Sequence, residues 1–524
     1  MKRITWLLIA AMVLTLFAGC MGQKPTTTSA TTAVTTAANT AGESTKPVSE
    51  KLFSEPVTFT MILAENPSYP YKKDSLLERE IGKRYNVFFD VTPIQGYLED
   101  KVNLYVASGD LPDLICDLSP LGANAIGNQG ALINFNKYRD KMPNYAAWAK
   151  EHGDYETYFF GANGELFSMP NLGYGEAGNA THWIYRKDVF EANGIKPATT
   201  DDEFYQVLKE LKRIYPESYP LVFRSYQYAF DRMSYQWGGT SYGMYFDNDT
   251  KSWVYGPVEE EFKECVIFFK KLFDEDLIPP NFLSMDTNTW VDYLSTDKGF
   301  VTNDYMARID MFNGALRKEN PNYSLAYMPP FKGGKNGTDK FNPQSCLIIG
   351  GASGFSGSKK VDEIVKYLDS RYTDEAMQLM SWGVEGESYE VRNDGKKYHL
   401  GITGGFLDVP NKYGIFQTGF YTLVDPWAMQ NYASEETKEA AGYIATQKGE
   451  YSVPSNTFSA EAQEQRSRIE TNLMTIMYEN ISKFITGQRS LDQWDQYVKE
   501  LKSLGLDELV KLYNDSYKEF KSKF

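Results

Sequence analysis

The sequence predicts an α/β protein of two lobes, and three observations carry that expectation. From Leu52 to Phe524 the chain is too long for one small domain and long enough for two hydrophobic cores. β-Branched apolar runs alternate with amphipathic helical stretches in β-α-β-α-β order, which implies a parallel sheet with helices on both faces. The same alternation restarts after about residue 176, so the arrangement is expected twice.

Val57-Thr58-Phe59-Thr60-Met61-Ile62-Leu63, bounded by Pro56 and the turn-like Glu65-Asn66-Pro67, reads as the first strand. Asp74 is placed to cap a helix that carries Leu76, Leu77 and Ile81 on one face and breaks at Gly82. Val87–Val91 is the second strand, a helix follows through Leu98, Val102, Leu104 and Val106 to Ser108-Gly109, and Leu114-Ile115-Cys116 is the third strand. In such sheets ligands sit beyond the carboxyl ends of the strands, so the loops at 64–71 and 116–124 are expected to border a site. In the second half Trp183-Ile184-Tyr185 reads as a strand and 187–192 as a helix ended by Gly194, with Pro197 beyond. Thr200 caps a long helix through Phe204, Val207, Leu208 and Leu211 that stops before Pro216. Further strands are expected at 299–302, 323–328 and 346–349, and helices at 359–369, 373–382 and from about 459 onward. Pro329-Pro330 is the expected hinge crossing.

The N-terminus addresses the chain. Lys2 and Arg3, an apolar run from Ile4 to Phe17 and the small pair Ala18-Gly19 form the three parts of a secretory leader over residues 1–19. The run falls short of the ~20 residues a membrane-spanning helix needs. Cys20 follows directly and resembles the lipidated cysteine of a bacterial lipobox, although Phe17 stands where leucine is usual. Residues 20–54 are then expected to be the lipidated cysteine and a tether. Gln23 to Glu50 is dominated by Thr, Ala and Ser, cannot bury enough surface to offset its ordering entropy, and would span on the order of 30 Å as a coil.

Charge and composition narrow the function. The formal charge is −15, or −17 once Lys2 and Arg3 leave (−15 − 2), with no basic cluster, so nucleic acid is not an expected partner. Cys116, Cys265 and Cys346 are widely spaced and suit buried thiols rather than a disulfide framework or zinc site, and His152, His182 and His399 give no metal pattern. No cofactor is expected. Asp247-Asn248-Asp249-Thr250-Lys251 offers oxygen ligands, but Ser252 and Val258 stand where a calcium loop wants glycine and glutamate, so a turn between two strands is expected. Aromatic residues make up 15% of the chain, and Tyr and Trp suit a ligand with an apolar face and a hydroxylated edge, such as a sugar.

Several blocks resemble one family. Ala107-Ser108-Gly109-Asp110-Leu111-Pro112-Asp113 is similar to the "ASG-x-LPD" block of extracellular solute-binding proteins, the receptors of ABC importers. Gly164–Pro170 and the stretch 183–212 resemble two further blocks of that family. Tyr323–Phe331, ending in "MPPF", and Lys359–Tyr372 follow in the order of its maltose-binding branch. Gly383-Val384-Glu385-Gly386 with Tyr389 resembles the "GxEGxxY" block of its larger oligosaccharide lipoproteins. The resemblance implies a two-lobed, type II periplasmic-binding fold with a hinge, one lobe from 55–175 plus 331–375 and the other from 176–330 plus 376–524. It implies a monomer without catalytic residues that is held to the cell membrane through Cys20 and gives a carbohydrate, expected to be an oligosaccharide, to permease subunits. A cell-surface glycoside hydrolase with two carboxylates roughly 5–10 Å apart is the alternative; a sugar sensor for a membrane kinase would share the fold.

The candidate ligand contacts follow from position. Asp117 leaves the third strand at its carboxyl end, where it can face a cleft or cap a helix. Glu65, Asn66 and Tyr69 lie in the loop after the first strand. Tyr305 follows a strand where maltose-binding relatives carry a stacking aromatic. Trp237 precedes Gly238-Gly239, Trp382 and Glu385 belong to the oligosaccharide-lipoprotein block, and Trp427 sits in "DPWAM". Arg186 and Asp188 are expected to fix a βα turn rather than touch ligand.

Overall fold

The computed structural model describes residues 51–96, 98–171, 181–340, 350–403, 405–446 and 456–523. The leader, Cys20, most of the tether, Cys346 and the strand expected at 346–349 lie outside them. In chain order the first half gives β1 (Val57–Ala64), α1 (Leu76–Tyr85), β2 (Val87–Ile94), α2 (Leu98–Ser108), β3 (Leu114–Leu118) and α3 (Pro120–Gly127). Then come β4 (Thr181–Arg186), β5 (Met244–Asp247), β6 (Ser252–Tyr255), β7 (Val301–Tyr305) and β8 (Leu325–Tyr327). β9 (Gly351–Gly354), β10 (Tyr389–Val391) and β11 (Lys397–His399) follow, and the longest helix is Ala460–Ile485.

Two details at α1 differ from expectation. Ser75, not Asp74, caps it, its Oγ accepting from Glu78 N at 3.3 Å. The helix also passes through Gly82 and stops at Asn86, whose φ of 61° ends the turn. Gly82 serves packing instead, since an added Cβ would lie 2.9 Å from the Phe88 ring. The long helix Asp201–Ile214 is as its periodicity predicts, with Thr200 capping Glu203 N and Phe204, Leu208 and Leu211 buried. β5 and β6 pair antiparallel around the Asp247 turn, where Asp247 Oδ1 accepts from Asp249 N at 2.8 Å.

The first sheet has the order β2-β1-β3-β9. β1 runs parallel to β2 from Val57↔Val87 to Ala64↔Ile94 and parallel to β3 from Met61↔Leu114 to Leu63↔Cys116. β9 closes the edge antiparallel. The second sheet, β7-β4-β8, corrects the expectation of a repeated parallel unit: β4 is antiparallel to both neighbours.

Two main cores define the lobes. Phe59, Leu63, Ile81, Phe135, Tyr145 and Leu368 belong to the first, and Trp183, Phe204, Phe269, Phe331, Leu473 and Tyr497 to the second. These cores move the expected boundaries. Phe331 is fully buried in the second core, Lys332 N donates to Thr199 O at 3.0 Å and Gln236 Nε2 to Lys340 O at 2.8 Å, so the chain stays on the second lobe well past Pro329-Pro330. In the other direction, Trp382, Val409, Phe416, Phe420 and Ala428 pack in the first core, so the segment from 376 to 429 belongs there and not to the second lobe. Ser434 N and Thr437 Oγ1 then bind Asp310 Oδ1, both at 3.0 Å, on the second lobe. The chain therefore passes between cores from Asn171 to Thr181, from Lys340 to Gly350 and from Met429 to Ser434.

Candidate functional site

The first of these passages leads to the site. β3 pairs Cys116 with Ala352 and Leu118 with Gly351, which leaves Asp117 on a bulge with a φ of 77°. Such a bulge re-aims a side chain at the end of a strand. The facing backbone can come this close because it has no side chains. An added Cβ on Gly350 would sit 2.4 Å from Leu118 O, and one on Gly351 would sit 1.9 Å from Met169 O.

Met169 N bonds to Ala352 O at 2.9 Å and Tyr155 Oη donates to Asn171 O at 2.7 Å, so the strand edge and a tyrosine carry Asn171 to the same place. Arg371 arrives from the end of the helix Val361–Ser370, with Nη2 donating to Tyr421 O and its guanidinium 5.8 Å from the Tyr367 ring. Asp117, Asn171, Arg371, Thr418, Tyr421 and Thr422 together line a recess on the first lobe. Its groups are under-satisfied: Asn171 Oδ1 and Arg371 Nε are buried without a hydrogen-bond partner. Burial, and secondarily the nearby Glu99 carboxylate, push the Asp117 carboxyl up to about 7. Burial pushes the adjacent Cys116 thiol up to about 12, which leaves it inert. Among the described residues that line the recess, Asp117 is the one carboxylate.

The second lobe presents Tyr305. It ends β7 opposite Thr181, the first residue of β4, so it stands where the chain enters this lobe from Asn171. Arg232 Nη2 donates to Tyr305 Oη at 3.1 Å, with the guanidinium 5.1 Å from the ring centroid, which covers one ring face. Beneath it Asp304 receives Arg224 at 2.8 and 3.1 Å and Arg308 at 3.0 Å. Asp117 and Tyr305 thus both flank lobe-to-lobe passages.

The other candidates are placed differently. Glu65 and Asn66 are half-buried in the loop after β1. Glu65 Oε1 accepts from Tyr71 N at 3.3 Å, Glu65 Oε2 from Gln95 at 3.0 Å, and Asn66 Oδ1 from Ser68 N at 2.9 Å. Tyr69 is buried edge-on against Phe406 at 5.9 Å. Asn66 closes the loop on itself, while Glu65 also ties it to Gln95 and Tyr69 to Phe406. Trp237 corrects its expected role: it is 1% exposed and packs between Phe268 and Phe331, because the backbone at Gly333 leaves room for its ring. Trp382 is likewise core, fully buried, stacked on His399 at 4.7 Å and donating to Asp425 Oδ2 at 2.8 Å. Trp427 meets the same Asp425, through its N at 2.9 Å, and its indole donates to Lys397 O at 2.7 Å on β11. Glu385 is exposed in the turn before β10.

Arg186 does fix the βα turn: 3% exposed, it donates to Asp188 at 2.8 and 2.7 Å and to Asp297 at 2.8 Å. Asn171, Arg371 and Thr422 escaped the sequence reading, since a cation at a helix end reads as a solvated C-cap. Among the described residues there is no group of three or more metal-ligating side chains.

Comparisons with known proteins bear on the family and the fold. The model of the family described as bacterial extracellular solute-binding protein matches residues 82–378, more than half of the chain. Lipoprotein LipO of Bacillus subtilis is 24% identical over 484 residues, 88% of this chain and 91% of LipO. The fructooligosaccharide ABC transporter substrate-binding protein FusA of Streptococcus pneumoniae is 22% identical over 515 residues, 89% of this chain and 91% of FusA. Among solved structures, the alginate-binding protein AlgQ2 without calcium ion superposes with a TM-score of 0.74 at 20% identity, covering 89% of this chain and 99% of AlgQ2. FusA in complex with kestose gives 0.72 at 19% identity, covering 89% of this chain and all of FusA. These likenesses show the two-lobed solute-binding fold.

Proposed function

The chain belongs to the family of bacterial extracellular solute-binding proteins, and from that premise we propose that it takes up a saccharide between its lobes and delivers it to the permease of an ABC importer. The observation that carries the ligand class is the recess on the first lobe: under-satisfied polar groups beside a lobe passage, with Tyr305 at the matching passage on the second. Hydroxyl groups of a sugar supply both donors and acceptors to such a site. The name of FusA, a fructooligosaccharide-binding relative of similar length, supports the same class. The protein acts as a receptor and not as a hydrolase, a reading that the family match and the relative named as a substrate-binding protein support. It works as a monomer. Cys20 carries a lipid that holds it outside the cell membrane, in keeping with the relative named as a lipoprotein.

A thermal-shift panel of oligosaccharides tests the reading. A ligand at about 100 times its dissociation constant stabilises the fold by ~2.7 kcal/mol. One saccharide in the panel is expected to do so and to remain chain-length intact on prolonged incubation. Accumulating shorter products would make the protein a hydrolase.

A further inference from the structure

Among the described residues Arg371 is a buried cation without a counter-ion. It is 2% exposed, yet its side-chain hydrogen bond goes to the Tyr421 carbonyl, its Nε has no partner, and no carboxylate of the described residues pairs with it. A desolvated charge of this kind is costly unless an opposite charge meets it. Asp117 shares the recess but does not supply that charge. No ion pair joins it to Arg371 among the described residues, and burial, with Glu99, pushes its carboxyl up to about 7. The recess has room for about one water (≈ 10 Å³), enough for an oxygen-bearing group and not for a sugar ring.

We propose that the ligand is a saccharide bearing a carboxylate, and that Arg371 receives this carboxylate in the recess while the ring stays outside, beside Asn171 and Thr422. The proposal rests on the saccharide reading above and names its class. The guanidinium fork matches a carboxylate in bidentate geometry, and an anion compensates the buried charge where a hydroxyl dipole cannot. A carboxylate arriving beside Asp117 favours the protonated form of that side chain, so binding takes up a proton. The charged and titratable groups around Asp117 are Glu99 on α2, Arg371, Cys116, Tyr372 and Tyr421; burial pushes the Cys116 thiol and the Tyr372 phenol up, so these two stay neutral in this range.

Titration calorimetry of the wild-type protein decides the matter. The probes are oligogalacturonates, oligomannuronates and glucuronic-acid-substituted xylo-oligosaccharides, each beside its carboxyl-reduced neutral counterpart. An acidic probe is expected to bind about 10-fold or more tightly than its reduced form. It is also expected to bind more tightly at about pH 5.5 than at about pH 8. Arg371→Gln should abolish the preference for acid and Arg371→Lys should keep part of it. Asp117→Asn should keep the preference and lose the pH dependence. Reduced forms or neutral fructo-, xylo- and malto-oligosaccharides binding as tightly as the acids would overturn this inference and leave the saccharide reading intact, as would an affinity that rises with pH. Failure of every saccharide, acidic and neutral, to bind would overturn both. The wild-type comparison of acid with reduced form stands even where an Arg371 variant does not fold.

Discussion

At the scale of single residues, glycines and one strained aspartate shape the recess. Gly351 faces Met169 O so closely that a methyl group cannot be added without moving backbone. Gly351→Ala is therefore expected to destabilise the fold by ~1–3 kcal/mol in urea melts, as overpacking does elsewhere. Tyr305 offers a ligand only the ring face that Arg232 leaves open, so Tyr305→Ala should weaken saccharide binding by roughly 5- to 150-fold in calorimetry, or ~1–3 kcal/mol. Unchanged affinity would remove Tyr305 from the site. Asp117 also marks the ligand-free protein. Its folded-state pKa of about 7 lies above its unfolded value of 3.8, so the folded state holds the extra proton between them and stability falls as pH rises from about 4 to about 7. His399, pushed down to about 4 by burial, acts in the opposite sense below its unfolded value of 6.5. The wild-type slope mixes the two. Asp117→Asn should remove the Asp117 part alone, gaining melting temperature relative to wild type at about pH 8 and little at about pH 4.

At the scale of elements, legibility followed burial pattern. β1 and β3 were readable because their apolar runs hold the centre of the first sheet, and β2 because its apolar, β-branched start pairs with β1 at the edge. The helix Asp201–Ile214 was readable because cap and periodicity agree. β9 was not: Gly-Ala-Ser-Gly has no strand propensity, and it pairs with β3 because small residues allow close approach. Trp237 and Trp382 were misplaced for a related reason, since an indole's identity does not say which side of a helix or turn the core covers. The helix Asp374–Trp382 presents the same stripe whichever lobe buries it, so its lobe could not be read from periodicity. The capped helix gives a direct check. Thr200 Oγ1 accepts from Glu203 N at 3.2 Å while Glu203 Oε2 accepts from Thr199 N at 2.8 Å, a reciprocal pair at the N-terminus. Thr200→Ala should cost about 1 kcal/mol in chemical denaturation, with saccharide affinity unchanged because this helix end packs away from the recess residues.

At the scale of the whole molecule, the connection between lobes decides how binding works. Three passages join the cores, and the C-terminal helix Leu506–Lys523 spans both: Leu509 and Tyr513 pack in the second core, Phe520 in the first, and Lys523 donates to Ala162 O at 2.9 Å. The lobes are tied by that helix as well as by the passages. Motion about such ties is a hinge, not a free separation. Asp117 and Arg371 belong to the first lobe and Tyr305 to the second, so a ligand that meets both sets favours whichever arrangement brings them together. Its differential affinity for that arrangement is all that can shift the population. A bound saccharide should therefore reduce the radius of gyration in solution scattering, and Tyr305→Ala should raise the concentration needed without changing the final radius. Cys20→Ala should leave this compaction untouched while releasing the protein from the membrane fraction, because the anchor and the clamp lie on separate parts of the chain. A radius that stays constant at saturation would mean that the ligand occupies one lobe only and that Tyr305 has no part in holding it.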